Sequence, residues 1–399
     1  MPVHADDLRG LLRLGADAGL GVADIAEGLH HSVLSPFGLA RGAAPGRTAG
    51  LTGFIYRAVR KGLRLGGDGG DALIGLLTRL LPAASSTPQR EALLAILNGV
   101  WGDHLVASGN PLAIRSALRV EGRALLLESG ALAAQLPEAS GRILLLAHGL
   151  CMNDLQWQRR GHDHGRMLAR ERGWTPVSLH YNSGRHVSEN GADLDVLLEA
   201  LVEAWPVRVE ELAIVGHSMG GLVARSACHR AQGLGRTWPG RLGRMVFLGT
   251  PHHGAPLERG GHMVDRLLGS SAYAAPFARL GLSRSAGITD LRFGNVQDAD
   301  WQGRERVEQR HDDRRPTPLP NGVASFLVAA TTAEHASARR SRWIGDRLVP
   351  LGSALGEHPD PALALEAVPA EHRLIVTRAD HWDLLSRPEV SDALRRWLA

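Results

Sequence analysis

Two patterns of apolar residues divide the chain. Up to about residue 110 only helical spacing recurs. Leu11, Leu14, Ala18, Val22, Ile25, Leu29 and Val33 fall close to every 3.6 residues, which predicts a helix or a kinked pair over 5–34. Pro36, Gly38 and the Gly/Ala/Pro stretch 42–46 then form a loop. Over 50–65, Leu51, Phe54, Ile55, Ala58, Val59 and Leu63 line one side of a helix, and Arg57, Arg60, Lys61 and Arg64 the other. A third apolar helix, 69–81, stops at Pro82, and Thr87-Pro88 opens a fourth with a hydroxyl cap followed by proline in the first turn. Residues 1–110 are therefore expected to be a helical region of their own.

From residue 111 the period changes. Leu118 to Leu127, with Glu121-Gly122 inside, predicts a short hairpin. Short strands are predicted at 143–147, 176–180, 212–215, 245–249, 326–330 and 374–377, most of them apolar enough to be buried. Amphipathic stretches at 191–204, 221–232 and 389–398 lie between or after them. Strands alternating with helices specify an α/β domain, 111–399, built on a mostly parallel sheet covered on both faces. Residues 257–322 break the alternation with Gly, Pro and charge, including the polar run Arg304 to Arg315. Long insertions at such an edge are usually functional, so a lid or cap over a pocket is expected there.

Composition narrows the function classes. The formal charge is only +4 over 399 residues, and Lys61 is the single lysine. No dense basic tract with interleaved aromatics occurs, which argues against nucleic acid as a partner. Cys151 and Cys228 are the only cysteines, fitting a reducing compartment. The acidic start, Met1-Pro-Val-His-Ala-Asp-Asp, lacks the features of a signal peptide, and no apolar run is long enough to span a bilayer. A cytoplasmic protein is expected, with one peripheral membrane candidate: the apolar and cationic faces of helix 50–65 suit an in-plane helix on anionic lipid. Packing of that apolar stripe on the neighbouring helices is the simpler alternative.

The candidate chemistry centres on Leu212-Ala-Ile-Val-Gly-His-Ser-Met-Gly-Gly-Leu222. An apolar strand runs into Gly216-His217-Ser218-Met219-Gly220 and a helix follows, which places Ser218 at the apex of a sharp strand-to-helix turn. The turn presents the Ser218 hydroxyl at the carboxyl edge of the sheet and leaves the Met219 amide at a helix N-terminus, free for an oxyanion. A serine hydroxyl needs a base and an orienting acid to act as a nucleophile. His381, just past the last strand, is the expected base, and Asp346, in the loop after strand 326–330, the expected acid. Glu334 is the rival acid, nearer the strand end. Asp380 and Asp383 sit too close to His381 to reach its far nitrogen. The second oxyanion donor is expected at Leu150, in the His148-Gly149-Leu150 turn after strand 143–147, with Gly149 admitting substrate and His148 and His217 beside it. Cys151 reads as a bystander. His252-His253 read as crevice-lining or loop-bracing residues, and no metal-ligand spacing is present.

Together, Gly216-His217-Ser218-Met219-Gly220-Gly221, His148-Gly149-Leu150, Gly249-Thr250-Pro251-His252-His253-Gly254, Gly345-Asp346 with Val349-Pro350, and His381 resemble bacterial lipase/esterase α/β-hydrolases. The nearest group is similar to GPI inositol-deacylase and triacylglycerol lipases. The resemblance covers roughly 140–399 and implies a Ser218–Asp346–His381 triad with Leu150 and Met219 as the oxyanion hole. One departure is Arg347, where that group often has glycine after the acid. The expected activity is hydrolysis of a carboxylic ester, of a lipid or another apolar acyl group, through an acyl-enzyme and without a cofactor. Acyl transfer on the same triad and a non-catalytic scaffold are the alternatives. Nothing in the sequence sets the oligomeric state, the acyl length or the head group.

Overall fold

The structure is a computed structural model that describes residues 87–255, 285–304, 312–335 and 345–399, together with Asp7, Gly10, Glu27 and Arg57. Asp7, Gly10, Glu27 and Arg57 are all helical. The helices expected at 5–34, 50–65 and 69–81 otherwise lie outside the described residues, as does 263–280 of the expected cap.

The described residues fall into two units, one running to Ile114 and including Ser285, the other running from Arg115 onward. The first contains α1 (Pro88–Ala107), where the Thr87 hydroxyl accepts from the Arg90 amide as its cap. Asn98, buried within α1, ties the chain that follows back to the helix. Its side-chain amide donates to the Leu94 and Leu112 carbonyls, and its oxygen accepts from the Ile114 amide. The Asn110 side chain donates to the Gly10 carbonyl at 2.8 Å.

The second unit is an eight-stranded sheet. Its elements are β1 (Ala117–Val120), β2 (Arg123–Ala124), α2 (Ser129–Gln135), β3 (Arg142–Ala147), α3 (His164–Arg172), β4 (Thr175–His180), α4 (Val187–Ala204), β5 (Glu211–His217), α5 (Met219–Gln232) and β6 (Leu242–Leu248). Short α6 (Ala286–Asp290), β7 (Ala324–Thr331), short α7 (Leu351–Ala354), β8 (Arg373–Thr377) and α8 (Pro388–Trp397) complete it. The strand order is β2-β1-β4-β3-β5-β6-β7-β8. β1 is antiparallel to β2 and β4, and β3 to β8 run parallel. This is the α/β-hydrolase fold. The apolar central strands β3, β5, β6 and β7 have a simple cause: both faces are buried. Leu144, Leu146, Ala213, Val215, Val246, Val328 and Val376 join Met167, Leu168, Val390 and Leu394 in one core. The alternate residues Ile143, Leu145, Leu212, Ile214, Met245 and Phe247 are buried as well.

Sequence periodicity misses α2 and α3. Only Leu132 is buried in α2, and only Met167 and Leu168 among the apolar residues of α3, so neither carries a stripe wide enough to register. The end signals of α3 are nevertheless present. The Asp163 carboxylate accepts from the Arg166 amide, and Gly173 closes the helix at φ 69°.

Candidate active site

The site lies where β5 ends. Ser218 adopts φ 54° and ψ −126°, a conformation that costs a residue with a β-carbon on the order of 1–3 kcal/mol. The glycines around it explain why the surroundings tolerate the turn. A β-carbon on Gly216 would stand 2.6 Å from the Gly221 backbone, and one on Gly220 would collide with the carbonyls of Ala147 and His148. The elbow is thus pressed against the ends of β5 and β3, with only bare backbone between them.

Three connections gather the later loops around Ser218. Its amide donates to the Leu248 carbonyl at 2.9 Å, which seats the elbow beside the end of β6. The next residue, Gly249, lies under the His381 ring, so close that a β-carbon there would be 3.0 Å from Cε1. On the other flank, Nε2 of His217 donates to the His381 carbonyl at 3.2 Å, and the two rings lie 4.7 Å apart. His381 and Asp346 are both buried, and Nδ1 of His381 donates to Oδ2 of Asp346 at 2.6 Å. The other carboxylate oxygen, Oδ1, accepts the amides of Leu348 at 3.0 Å and Val349 at 2.8 Å. The carboxylate is therefore fixed from behind while one oxygen faces the imidazole. Glu334 is elsewhere, exposed and paired with Arg378. Neither the Ser218 hydroxyl nor Nε2 of His381 makes a hydrogen bond to a described residue.

Arg347 has φ 81°. A left-handed backbone directly after the carboxylate turns the chain so that both following amides reach Oδ1. A glycine would adopt this backbone without strain, and here an arginine bears it.

The opposite wall is the turn after β3. A β-carbon on Gly149 would lie 3.0 Å from Cβ of Ser218, so this glycine borders the hydroxyl directly. The amides of Leu150 and Met219 have no acceptor among the described residues. His148 and His217 are fully buried. Burial pushes His148 down to about 3 against the attraction of its own hydrogen bond, and pushes His217 well below the usual histidine range. Both rings are therefore neutral at pH 7. Nδ1 of His148 donates to the Gly149 carbonyl at 2.9 Å, and the ring stacks on Tyr181 at 4.4 Å. Burial also raises the Cys151 thiol to about 12, which keeps it protonated and poorly nucleophilic.

His252 and His253 brace the neighbouring loop. Nδ1 of His252 accepts from buried Arg225 at 3.2 Å, while Arg314 donates to the His252 carbonyl at 3.0 Å and holds Asp312 with two bonds. The His253 amide donates to Ser353 Oγ at 3.1 Å. Sequence reading did not single out Tyr181 or Ser183, which touch the turn after β3. The only signal for them was a Tyr-Asn-Ser-Gly stretch just past a strand at the active edge.

Residues 183–272 match the family model of the PGAP1-like alpha/beta domain, in line with the lipase- and esterase-type motifs. No curated protein matches the sequence. Among solved structures the chain is similar to the mature lipase BlEst2 of Bacillus licheniformis, at 18% identity and TM-score 0.42, covering 65% of this chain and 92% of that one. It is also similar to the Pyrococcus furiosus esterase Pf2001, at 15% identity and TM-score 0.37, covering 66% and 83%. A third is the phospholipase PlaB of Legionella pneumophila, at 16% identity and TM-score 0.36, covering 54% and 46%.

Proposed function

We propose that the protein is a serine hydrolase of carboxylic esters that works through an acyl-enzyme. The observation that carries this reading is the 2.6 Å Asp346–His381 bond, on the sheet edge where Ser218 stands at φ 54° on a strand-to-helix elbow. Nε2 of His381 takes the hydroxyl proton as Ser218 Oγ attacks the ester carbonyl carbon. Asp346 accepts from Nδ1, which keeps the free lone pair on Nε2 and stabilises the imidazolium that forms. The amides of Leu150 and Met219 donate to the oxyanion, where charge develops. When the tetrahedral intermediate collapses, the C–O bond to the alcohol breaks and the alcohol leaves with the proton from His381. Water then loses a proton to the same nitrogen and attacks the acyl-enzyme. The acid departs, and Ser218 regains its proton.

Gly149 leaves room for the acyl group beside the nucleophile, and the buried His148 and His217 shape the wall behind it. An apolar acyl chain, as in a lipid ester, suits a protein of this fold and these motifs, and the chemistry requires no cofactor. Labelling with a fluorophosphonate probe tests the reading directly. The wild-type protein should be labelled and should hydrolyse p-nitrophenyl esters, with chain length graded to find the acyl preference. Ser218→Ala should remain folded and lose both activities. Undiminished labelling of the purified Ser218→Ala protein would exclude Ser218 as the nucleophile.

A further inference from the structure

The turn after β3 has two bonds of its own, from the Met152 amide and the His148 ring to the Gly149 carbonyl, but it is also held from outside. Cys151 has φ 58°, a left-handed conformation that a cysteine adopts only under constraint. Part of the constraint comes from the chain that follows β4. Ser183 Oγ accepts the Cys151 amide at 3.0 Å, and the Tyr181 hydroxyl donates to the His148 carbonyl at 2.7 Å. The His148 ring stacks on Tyr181 as well. Tyr181 and Ser183 are both about 1% exposed, and the Tyr181 bond is fully buried, whereas Cys151 is half-buried. The loop that carries them is anchored in turn, because Asn190 of α4 donates to the Asn182 carbonyl at 2.9 Å and Gly287 donates to the Gly184 carbonyl at 3.0 Å. Of two successive amides in the turn, Cys151 is committed to Ser183 and Leu150 is left without an acceptor among the described residues.

We infer that Ser183 and Tyr181 are positioning residues for oxyanion stabilisation, clamping the His148–Met152 turn so that the Leu150 amide stays available beside Ser218. The inference rests on the proposed ester hydrolysis. Neither residue touches the substrate. With the Ser183 hydroxyl removed, the half-buried Cys151 amide has no acceptor among the described residues, and its left-handed backbone loses one of the bonds that hold it. The peptide planes on either side of Leu150 then rotate toward other partners. The Leu150 donor is lost for part of the time, and only when negative charge develops does this matter.

The test is Ser183→Ala, compared with wild type for kcat and KM on a short p-nitrophenyl ester, for the rate of fluorophosphonate labelling, and for Tm. The expected result is a fall of about 10- to 100-fold in kcat and in labelling rate together, somewhat less than outright loss of an oxyanion donor. KM should stay within about threefold, as expected for an interaction made mainly in the transition state. Ser183→Thr, which restores the hydroxyl, should recover most of the rate. Should the threonine variant not fold, the alanine variant decides alone, with kcat expressed per fluorophosphonate-titrated site. A per-site kcat for Ser183→Ala within twofold of wild type, or a loss seen only as a lower Tm and fewer active sites, overturns the inference. A wild-type protein that neither labels nor turns over ester would instead defeat the serine-hydrolase reading on which it rests.

Discussion

Two of the buried histidine–aspartate pairs near the carboxyl ends of the parallel strands differ in a way that shows what a reactive pair needs. In the first, His381 donates from Nδ1 to Asp346 at 2.6 Å, and its ring lies over the bare backbone of Gly249 beside Ser218. In the second, His186 meets Asp290 through Nδ1 at 3.0 and 3.1 Å. There the ring is covered by Trp301, stacked at 3.7 Å and nearly parallel. Asp290 also accepts the Val187 amide at 2.8 Å and the Asn295 side chain, so it closes the start of α4 and the turn after α6. Its burial raises it against the pull of His186 and those donors. The same two residue types thus make a candidate acid–base pair in one place and a structural clasp in the other. What separates them is what lies against the ring: the bare backbone of Gly249 next to the elbow in the first, an indole in the second.

The sharpest way to break this contrast is to remove each carboxylate charge. Asp346→Asn should lower kcat by about 10⁴-fold, because the amide favours the wrong imidazole tautomer. Asp290→Asn should leave kcat within a few-fold but destabilise the fold by about 1–3 kcal/mol, as one of the two buried acceptor oxygens becomes a donor facing donors. Esterase kinetics and urea unfolding on both proteins check the pair of expectations. An equal kinetic loss in the two variants would erase the distinction. Glu334→Gln, on an exposed ion pair, should change neither quantity measurably.

Acid should weaken the neutral, buried histidines first. His148 and His253 are pushed down to about 3 and His164 to about 4, from an ordinary value of 6.5, chiefly by burial. Their folded values lie below the unfolded one, so the unfolded chain binds more protons between them. Their stabilising contribution is complete above pH 6.5 and is lost as pH falls toward those folded values. The Tm should therefore decline progressively from pH 6.5 to 4.5, before most carboxylates titrate. A flat Tm across that window would mean the imidazoles are not held neutral. The smallest effect is expected at Arg347, whose φ of 81° strains any side chain. Arg347→Gly should raise stability by up to about 1 kcal/mol without lowering kcat, read as a shift in the urea midpoint.

Much of the hydrolase sheet was legible because its signals are local. The runs at 143–147, 212–215 and 326–330 lie within the observed strands β3, β5 and β7, and the Thr87-Pro88 cap starts α1 where expected. The elbow was legible for much the same reason: Gly216 marks a turn tight against its own following backbone, although the space at Gly220 is limited by the distant carbonyls of Ala147 and His148. Boundaries were less so. α4 begins at Val187, ahead of its apolar stripe, because the Asp290 carboxylate caps an amide there from far along the chain.

What the sequence by itself determined is the alternation of buried strands and helices, the place of Ser218 on its turn, and the short list of acids and bases that could follow it. Position along the chain ranks Asp346 and Glu334 as candidates but carries no information on which carboxylate reaches an imidazole. Tertiary structure decided that, by pointing Oδ2 of Asp346 at His381 and leaving Glu334 in solvent with Arg378. It also separated His381 from His186 as partners of an aspartate, and it brought Ser183 to the Cys151 amide, 32 positions apart in sequence. The reason is physical. A strand or an elbow is set by backbone sterics and the burial of adjacent residues, whereas a hydrogen bond across the sheet edge depends on where distant loops come to rest once the core has packed.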